Sequence, residues 1–346
     1  MNILDGVNNF FGLDIGTTAV RAVQLSGSGS MRNFQSYGQL PVDSRISLSD
    51  ADADRQKLAQ IIQQLVSTAQ INSTNVAVNL PSNKVFSTVI DFDKLSEQEM
   101  GKAINYQADS LVPTPLAKSK LDWAILGPSP RDPQKVEVLI SSVANEFVES
   151  RINLLESIGL NVIACEPDNL ALSRSLLPPD AVGAQLVMDI GYQATDLIVA
   201  VAGAPRLTRS ISIGTGAVIK AAMQNLSVDV RQAAQYVFKF GLSRDKLEGQ
   251  VYNAIIGTVD SLMSEIDKSI KFFGDRYAGV KIERIIVTGG ASSLPELPAY
   301  IANQFGLNVE IGNAWRNVTL PPDKETELLS VSNYFAVAVG LAERNI

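Results

Sequence analysis

The sequence predicts an α/β protein built as two lobes facing each other across a cleft, with an extra α/β module inserted into the first lobe. Three observations carry this. A strand, tight glycine turn, strand pattern occurs once in each half of the chain, from Phe11 to Leu25 around Asp14-Ile15-Gly16 and from Leu186 to Ala200 around Asp189-Ile190-Gly191. Apolar strand-like runs alternate with helical patterns in both halves. Between Pro81 and Gly159 the texture changes to a set of strands and helices that reads as a unit of its own. Two matched hairpins, one per half, can face each other across a cleft. Glycine without Cβ lets backbone N–H groups approach an anion there, so the turn amides and hydroxyls can hold phosphate oxygens. The two aspartates would stand beside those phosphates, where a hydrated Mg²⁺ needs oxygen ligands. The repeat therefore points to a nucleotide clamp.

Taken in order, the first hairpin is followed by a helical pattern at Leu58, Ile61, Ile62, Leu65, Val66 and Ala69, then a strand over Asn75 to Leu80 that Pro81 ends. The inserted module then reads as strand Val85 to Ile90, helix Ser96 to Leu111, strand Leu121 to Leu126, a proline-rich turn to Pro133, strand Val136 to Val143 and helix Glu146 to Ile158. Ser96 with Glu99 three residues on has capping-box spacing and fixes the start of that helix. Val162 to Ala164 returns to strand. Glu166 to Arg174 reads as a helix with Pro167 in its first turn, and Pro178-Pro179-Asp180 as a crossing between lobes. The second half adds a strand over Pro205 to Ile213, then Gly214-Thr215-Gly216 leading into helices. The longest of these carries Ile255, Val259, Leu262, Met263, Ile266, Ile270 and Phe273 on a core face. Strand Ile282 to Thr288 runs into Gly289-Gly290-Ala291-Ser292, a βα turn whose glycines can press against a flat ligand. The alanine-, valine- and glycine-rich end, Ser332 to Ala342, suits a helix packed closely on a neighbour. These elements give domain boundaries of 10–80 with 160–183 and 331–346 for the first lobe, 81–159 for the module, and 184–330 for the second lobe, with a subdomain at about 214–275.

Composition narrows the chemistry. At 346 residues, 46% hydrophobic and 19% charged, the chain can fill two cores. A net charge of -7 with no run of Lys or Arg argues against a nucleic-acid surface. The single cysteine, Cys165, excludes an internal disulfide, and the absence of histidine removes the commonest general base and zinc ligand. Met1 to Phe11 lacks the pattern of a signal peptide, and no apolar run approaches the ~20 residues of a membrane span, so a cytoplasmic location is expected. In that lead-in Ile3, Leu4, Val7, Phe10 and Phe11 can share one helical face. Its own domain is the preferred partner, a membrane or another protein the alternative.

These pieces, in this order, resemble the actin-like ATPase superfamily, which includes actin, Hsp70, sugar kinases and FtsA. The phosphate hairpins resemble Asp14–Arg21 and Asp189–Asp196, the adenosine turn Thr288–Ser292, and the connecting helices Glu166–Arg174 and Ala336–Ala342. Within it the chain is most similar to the PilM family of type IV pilus assembly. That resemblance is carried by Leu13-Asp-Ile-Gly-Thr-Thr-Ala-Val-Arg21, Tyr106-Gln-Ala-Asp-Ser-Leu-Val-Pro113, Leu126-Gly-Pro-Ser-Pro130, Arg151 to Leu160 and Val287-Thr-Gly-Gly-Ala-Ser-Ser-Leu-Pro-Glu-Leu297. It spans nearly the whole chain, and the module with Tyr106 to Pro113 is its most discriminating part.

The resemblance implies ATP with Mg²⁺. Gly16, Thr17 and Thr18, mirrored by Gly191, Tyr192 and Gln193, would hold phosphates; Asp14 and Asp189 would hold Mg²⁺ largely through water, unless each merely bonds its own turn. Arg21 would meet phosphate or the lobe surface. Gly289, Gly290 and Ala291 would line adenine and ribose, with Gly214 also on the nucleotide. Glu166 stands where such ATPases place a carboxylate that orients water, or else caps a helix beside Pro167. One departure weakens the grip. Where FtsA-type relatives carry an Ala-Glu-x-x-Lys pattern on the nucleoside, this chain has Ala234 and Val237, with Gln235 or Lys239 as substitutes after a small shift. At most a slow ATPase is expected. The implied role is an ATP-binding adaptor at the inner face of the cytoplasmic membrane, bound through the N-terminal cytoplasmic peptide of a PilN-like inner-membrane protein in a groove between first lobe and module. Other pilus inner-membrane components and self-association are further partners the family suggests. A small-molecule kinase is the runner-up, for which no carboxylate base beyond the metal pair is evident; an FtsA-like filament is the third, but Gly340 to Ile346 lacks a basic amphipathic anchor.

Overall fold

In the computed structural model, residues 9–178 and 181–345 are described. Ile3, Leu4 and Val7 of the lead-in, and Pro179 and Asp180 of the expected crossing, lie outside them; Phe10 and Phe11 are buried, and Phe11 opens the first strand. Strands β1 (Phe11–Ile15), β2 (Ala19–Ser26) and β3 (Arg32–Pro41) form an antiparallel meander. The polar, glycine-containing β3 carries little strand signal of its own. Its pairing with β2 and the edge-on contact of Phe34 with Trp315 hold it in the sheet. After α1 (Ser44–Ser47), α2 (Asp52–Thr68) lays Leu58, Ile62 and Leu65 into the core under the sheet, and β4 (Asn75–Leu80) returns parallel to β1.

The chain then leaves this sheet. Strand β5 (Val85–Asp93), helix α3 (Glu97–Leu111), and strands β6 (Ser119–Pro128) and β7 (Lys135–Ala144) make a separate antiparallel sheet in the order β5-β7-β6. Met100 and Ile104 of α3 close it against Phe92, Val138 and Ile140. The capping box is formed, Glu99 Oε2 accepting from the Ser96 N–H at 3.1 Å and Ser96 Oγ from the Glu99 N–H at 3.4 Å. Helix α4 (Asn145–Glu156) follows the module directly, yet Leu155 packs in the first-lobe core. The reason is topological. Strand β8 (Asn161–Pro167) pairs parallel to β4, and a parallel pair needs a crossover, whose helix is α4. Helix α5 (Asp168–Leu176) begins two residues later than the sequence pattern suggests, because Glu166 and Pro167 are still in the β8 ladder.

The second lobe repeats the plan. Strands β9 (Ala184–Ile190), β10 (Thr195–Val201) and β11 (Ala204–Ile211) form a meander; α6 (Thr215–Leu226), α7 (Val230–Phe240) and α8 (Gln250–Arg276) cover it. Strand β12 (Ile282–Thr288) runs parallel to β9, and after α9 (Leu297–Phe305) β13 (Asn308–Ile311) runs parallel to β12. The order β11-β10-β9-β12-β13 matches β3-β2-β1-β4-β8, so the duplication visible in the hairpins extends to whole sheets. Strand β14 (Val318–Thr319) joins the edge of β3, and α10 (Glu325–Ser330) leads to α11 (Ala336–Ala342).

Helices α5 and α11 lie side by side between the sheets, in a core that takes Val23 and Ala77 from the first sheet and Val187, Ile198 and Ile286 from the second. Every residue of α11 is buried. Glycine makes the approach possible: a Cβ on Gly340 would stand 1.9 Å from the Ala171 carbonyl oxygen, and one on Gly12 2.2 Å from that of Ala338. This close seam joins the lobes and leaves the hairpin ends of both sheets open to one cleft.

Candidate functional site

The cleft, about 740 Å³, is lined by both hairpin turns and has the size of a small-molecule site. The turns are built alike. Gly16 N–H donates to the Ala19 carbonyl and Gly191 N–H to that of Ala194, each at 3.0 Å. Each turn is braced from behind: Ser47 Oγ donates to the Thr17 carbonyl at 2.7 Å, and the Thr215 and Gly216 N–H groups at the start of α6 donate to the carbonyls of Gly191 and Tyr192 at 2.9 and 2.8 Å. Asp14, Gly16, Thr17, Thr18 and Arg21 line the cleft from the first hairpin, and Asp189, Gly191, Tyr192 and Gln193 from the second. Gly214 does not line it. It supports the second turn, where its Cβ would stand 2.6 Å from the oxygens of Gly191 and Tyr192.

The hairpins differ in charge. Across the first ladder Asp14 faces Arg21, and their side chains pair at 3.2 Å; at the same register of the second, Asp189 faces Asp196. Like charges directly opposed in a ladder repel. Burial first, then Asp196 and Asp14, push Asp189 up to about 7, with Arg21 offsetting part of this. Burial raises Asp14 as well, against the pull of Arg21. Besides Asp50 at the rim, two further carboxylates line the cleft, Asp168 and Asp196. Asp168, the first residue of α5, accepts from Asn79 Nδ2 at 3.0 Å, while Asn79 Oδ1 accepts from the Ile15 N–H at 2.8 Å. Its pKa is held well above the usual carboxylate range by burial and then by Asp14 and Asp196. The sequence reading missed it because the strand register, two residues past Glu166, decides which carboxyl reaches the cleft.

Glu166 is absent from the cleft lining. Its buried carboxylate is held by Arg174 Nη2 at 2.5 Å and Arg344 Nη1 at 3.2 Å, a structural ion-pair cluster. Gly289 and Gly290 do line the cleft, clamped from behind by Asn333, whose carbonyl accepts from the Gly289 N–H at 2.9 Å. Gly289 has φ +80°, and a Cβ there would meet Asp189 Oδ1 at 2.2 Å, so only glycine fits. Ala291 is buried in the second-lobe core instead. Val237 is buried there too, and neither Gln235 nor Lys239 lines the cleft. Ile219, Ala234 and Phe238 add apolar side chains to the cleft lining.

A second concavity, about 170 Å³, lies between the first lobe and the module. Its lining includes Leu121, Trp123 and Ala124 of β6, Leu139 of β7, Val148 of α4, and Cys165 and Pro167 of β8. Strands β6 and β8 are each the outermost strand of their sheet, so the groove runs between two sheet edges. Tyr106 and Pro113 lie elsewhere; Tyr106 is exposed on α3, and Val112, just past the end of that helix, is buried.

Two duplicated lobes with facing phosphate-type hairpins, a glycine turn and paired connecting helices define the actin-like ATPase fold. Solved structures agree: the ethanolamine utilization protein EutJ of Carboxydothermus hydrogenoformans matches with a TM-score of 0.57 at 13% identity, covering 97% of this chain and 89% of that one. MreB5 of Spiroplasma citri, bound to AMPPNP, matches at 0.53 and 14% identity over 96% and 94% of the two chains. A PilM–PilN type IV pilus biogenesis complex matches with a TM-score of 0.82 at 25% identity, covering 96% of this chain and 97% of that chain. The model of the family "type IV pilus assembly protein PilM" matches residues 12–346, and the chain belongs to that family. Among the described residues no helix is long and apolar enough to cross a membrane.

Proposed function

We propose that the protein is an ATP-binding adaptor of type IV pilus assembly that captures the N-terminal cytoplasmic peptide of a PilN-like inner-membrane protein, and so sits at the inner face of the cytoplasmic membrane. The observation that carries the partner half is the groove between β6 and β8. An extended peptide laid there meets two sheet edges whose backbone groups can pair with it, over an apolar floor that takes its side chains. The solved relative in which such a protein is seen with PilN supports the assignment.

For the nucleotide half, Gly16, Thr17 and Thr18 with Gly191, Tyr192 and Gln193 would hold phosphates, and Gly289 and Gly290 the adenosine. The residues fit a hydrated Mg²⁺: Asp189 and Asp196 oppose each other across the ladder with only partial relief from Arg21, a buried Asp196 oxygen lacks a hydrogen-bond partner, and added positive charge would relieve both. Asp14 and Asp189 would hold the ion largely through water. Mg²⁺ would supply charge neutralisation of the phosphates. Asp168 is the cleft carboxyl that could face an attacking water. Burial and the neighbouring aspartates raise its pKa and so disfavour its charged form, which fits slow hydrolysis.

The test uses fluorescence anisotropy of a labelled N-terminal peptide of the PilN-like protein. Ala124→Asp, at an exposed position on β6, should weaken capture about tenfold or more by placing an unpaired charge against the peptide. ATP binding should be unchanged. Full-affinity capture by this variant would remove the groove assignment.

A further inference from the structure

The cleft holds a cation that none of the readings above has used. Arg151 lies on α4, whose Phe147, Ser150, Arg151 and Leu154 form one face at helical spacing, and all four line the cleft. Arg151 is 8% exposed. A guanidinium carries five donors and keeps its charge, so burying one without acceptors is costly. The other cleft arginines are engaged: Arg21 pairs with Asp14 at 3.2 Å, and Arg55 with Asp50 and Asp52 at 3.6 and 3.9 Å. The Arg151 side chain makes no hydrogen bond or ion pair among the described residues, and its nitrogens are not sealed off from the cleft. It rests against the Phe147 ring at 5.3 Å and feels Asp14 and Asp168 only through space. Lys84, also on the cleft, stands over the same ring at 5.9 Å.

We propose that Arg151 receives the terminal phosphoryl group of a bound nucleoside triphosphate, so that the cleft distinguishes triphosphate from diphosphate. This rests on the nucleotide reading above. Three things point to a phosphoryl group at this place. The adenosine turn belongs to the second lobe, whereas α4 belongs to the first, so the terminal phosphate is the part of the ligand that reaches toward α4. A planar fork of donors matches phosphate oxygens two at a time. And a third phosphate brought among Asp14, Asp168, Asp189 and Asp196 meets repulsion that a free cation offsets. Because Val148, one residue from Phe147, lines the peptide groove on the other side of α4, this helix is a wall shared by both sites.

Calorimetric titration of the full chain with Mg²⁺ and either AMPPNP or ADP tests it. Arg151→Gln should weaken AMPPNP roughly 10–100-fold, the loss expected for hydrogen bonds to a charged group. ADP affinity should stay within about twofold of the native value, which also reports that the cleft is still folded. Equal losses for both ligands, or none for AMPPNP, overturn the proposal while leaving nucleotide binding standing. A native protein that binds neither ligand overturns the nucleotide reading and this inference with it. Should the glutamine variant fail to fold, Arg151→Lys carries the test: it keeps the charge but not the fork, and should weaken AMPPNP several-fold without changing ADP. Unchanged AMPPNP affinity in that variant counts against the proposal.

Discussion

Glu166 and Glu343 show how the same side-chain type takes different duties outside the cleft lining. Glu166 is tied to Arg174 and Arg344, both about one-third exposed, so Glu166→Gln should destabilise the fold by ~1–3 kcal/mol, below the cost of breaking a fully buried pair. Any ATP turnover per folded molecule should be unchanged; a selective loss of turnover measured beside a melting curve would restore Glu166 to the chemistry. Glu343, past the end of α11, is buried with neither oxygen accepting a hydrogen bond of ordinary length. Burial pushes it up to about 8, and Asn317, Arg174, Arg32 and Arg316 offset only part of this. The folded protein therefore holds a proton that the unfolded chain releases near its ordinary 4.5. That contribution is full below the unfolded value and is lost as pH rises through about 8. Glu343→Gln should flatten the fall in melting temperature between pH 5 and pH 9, and raise it by about 2–4 °C at pH 9, what ~1 kcal/mol is worth in domains of this size. Parallel melting curves for the two proteins would expose the idea as wrong.

Among the elements, the α5–α11 seam is the least tolerant. Gly340→Ala must push its methyl against the Ala171 backbone or part the two helices, and should cost ~3 kcal/mol. Gly257 is the control. It also lies within a helix, α8, but a Cβ there meets nothing within 4 Å, so Gly257→Ala should stabilise by ~0.5–1 kcal/mol. Urea denaturation of the pair separates close packing from helix propensity; equal effects would mean the seam is not as tight as its geometry. The alanine- and glycine-rich composition of α11 already announced a close neighbour. Which neighbour it was, and that α5 starts at Asp168 rather than Glu166, depended on the β8 register.

Across the whole molecule, the module is a separate sheet held at both sides. Its Glu137, fully buried, pairs with Arg206 at 3.3 Å and Arg276 at 3.2 Å of the second lobe and accepts from Tyr277 Oη at 2.7 Å. Val85 and Val143 are partners in its ladder, so the chain enters and leaves at adjacent points. Replacing 85–144 by a short linker should leave ATP binding measurable and abolish capture of the PilN-like peptide. Extending the cut to 159 should unfold the first lobe, because it removes the crossover helix α4 with Leu155. Retained peptide binding in the shorter cut, read by anisotropy, would move the partner site off the module.

Sequence by itself determined the duplicated hairpins, the glycine turn, the module and the order of most strands, since these rest on local period and on glycine, whose needs are written in neighbouring residues. It also held Asp196 in plain view, at the repeat position of Arg21. Only the tertiary structure decided which side chains share the cleft. That Asp168 and Arg151 enter it while Glu166, Ala291 and Val237 turn away follows from strand register and helix facing, where a shift of one or two residues sends a side chain to the opposite side. The groove between β6 and β8 likewise exists only once two sheets distant in sequence are set edge to edge.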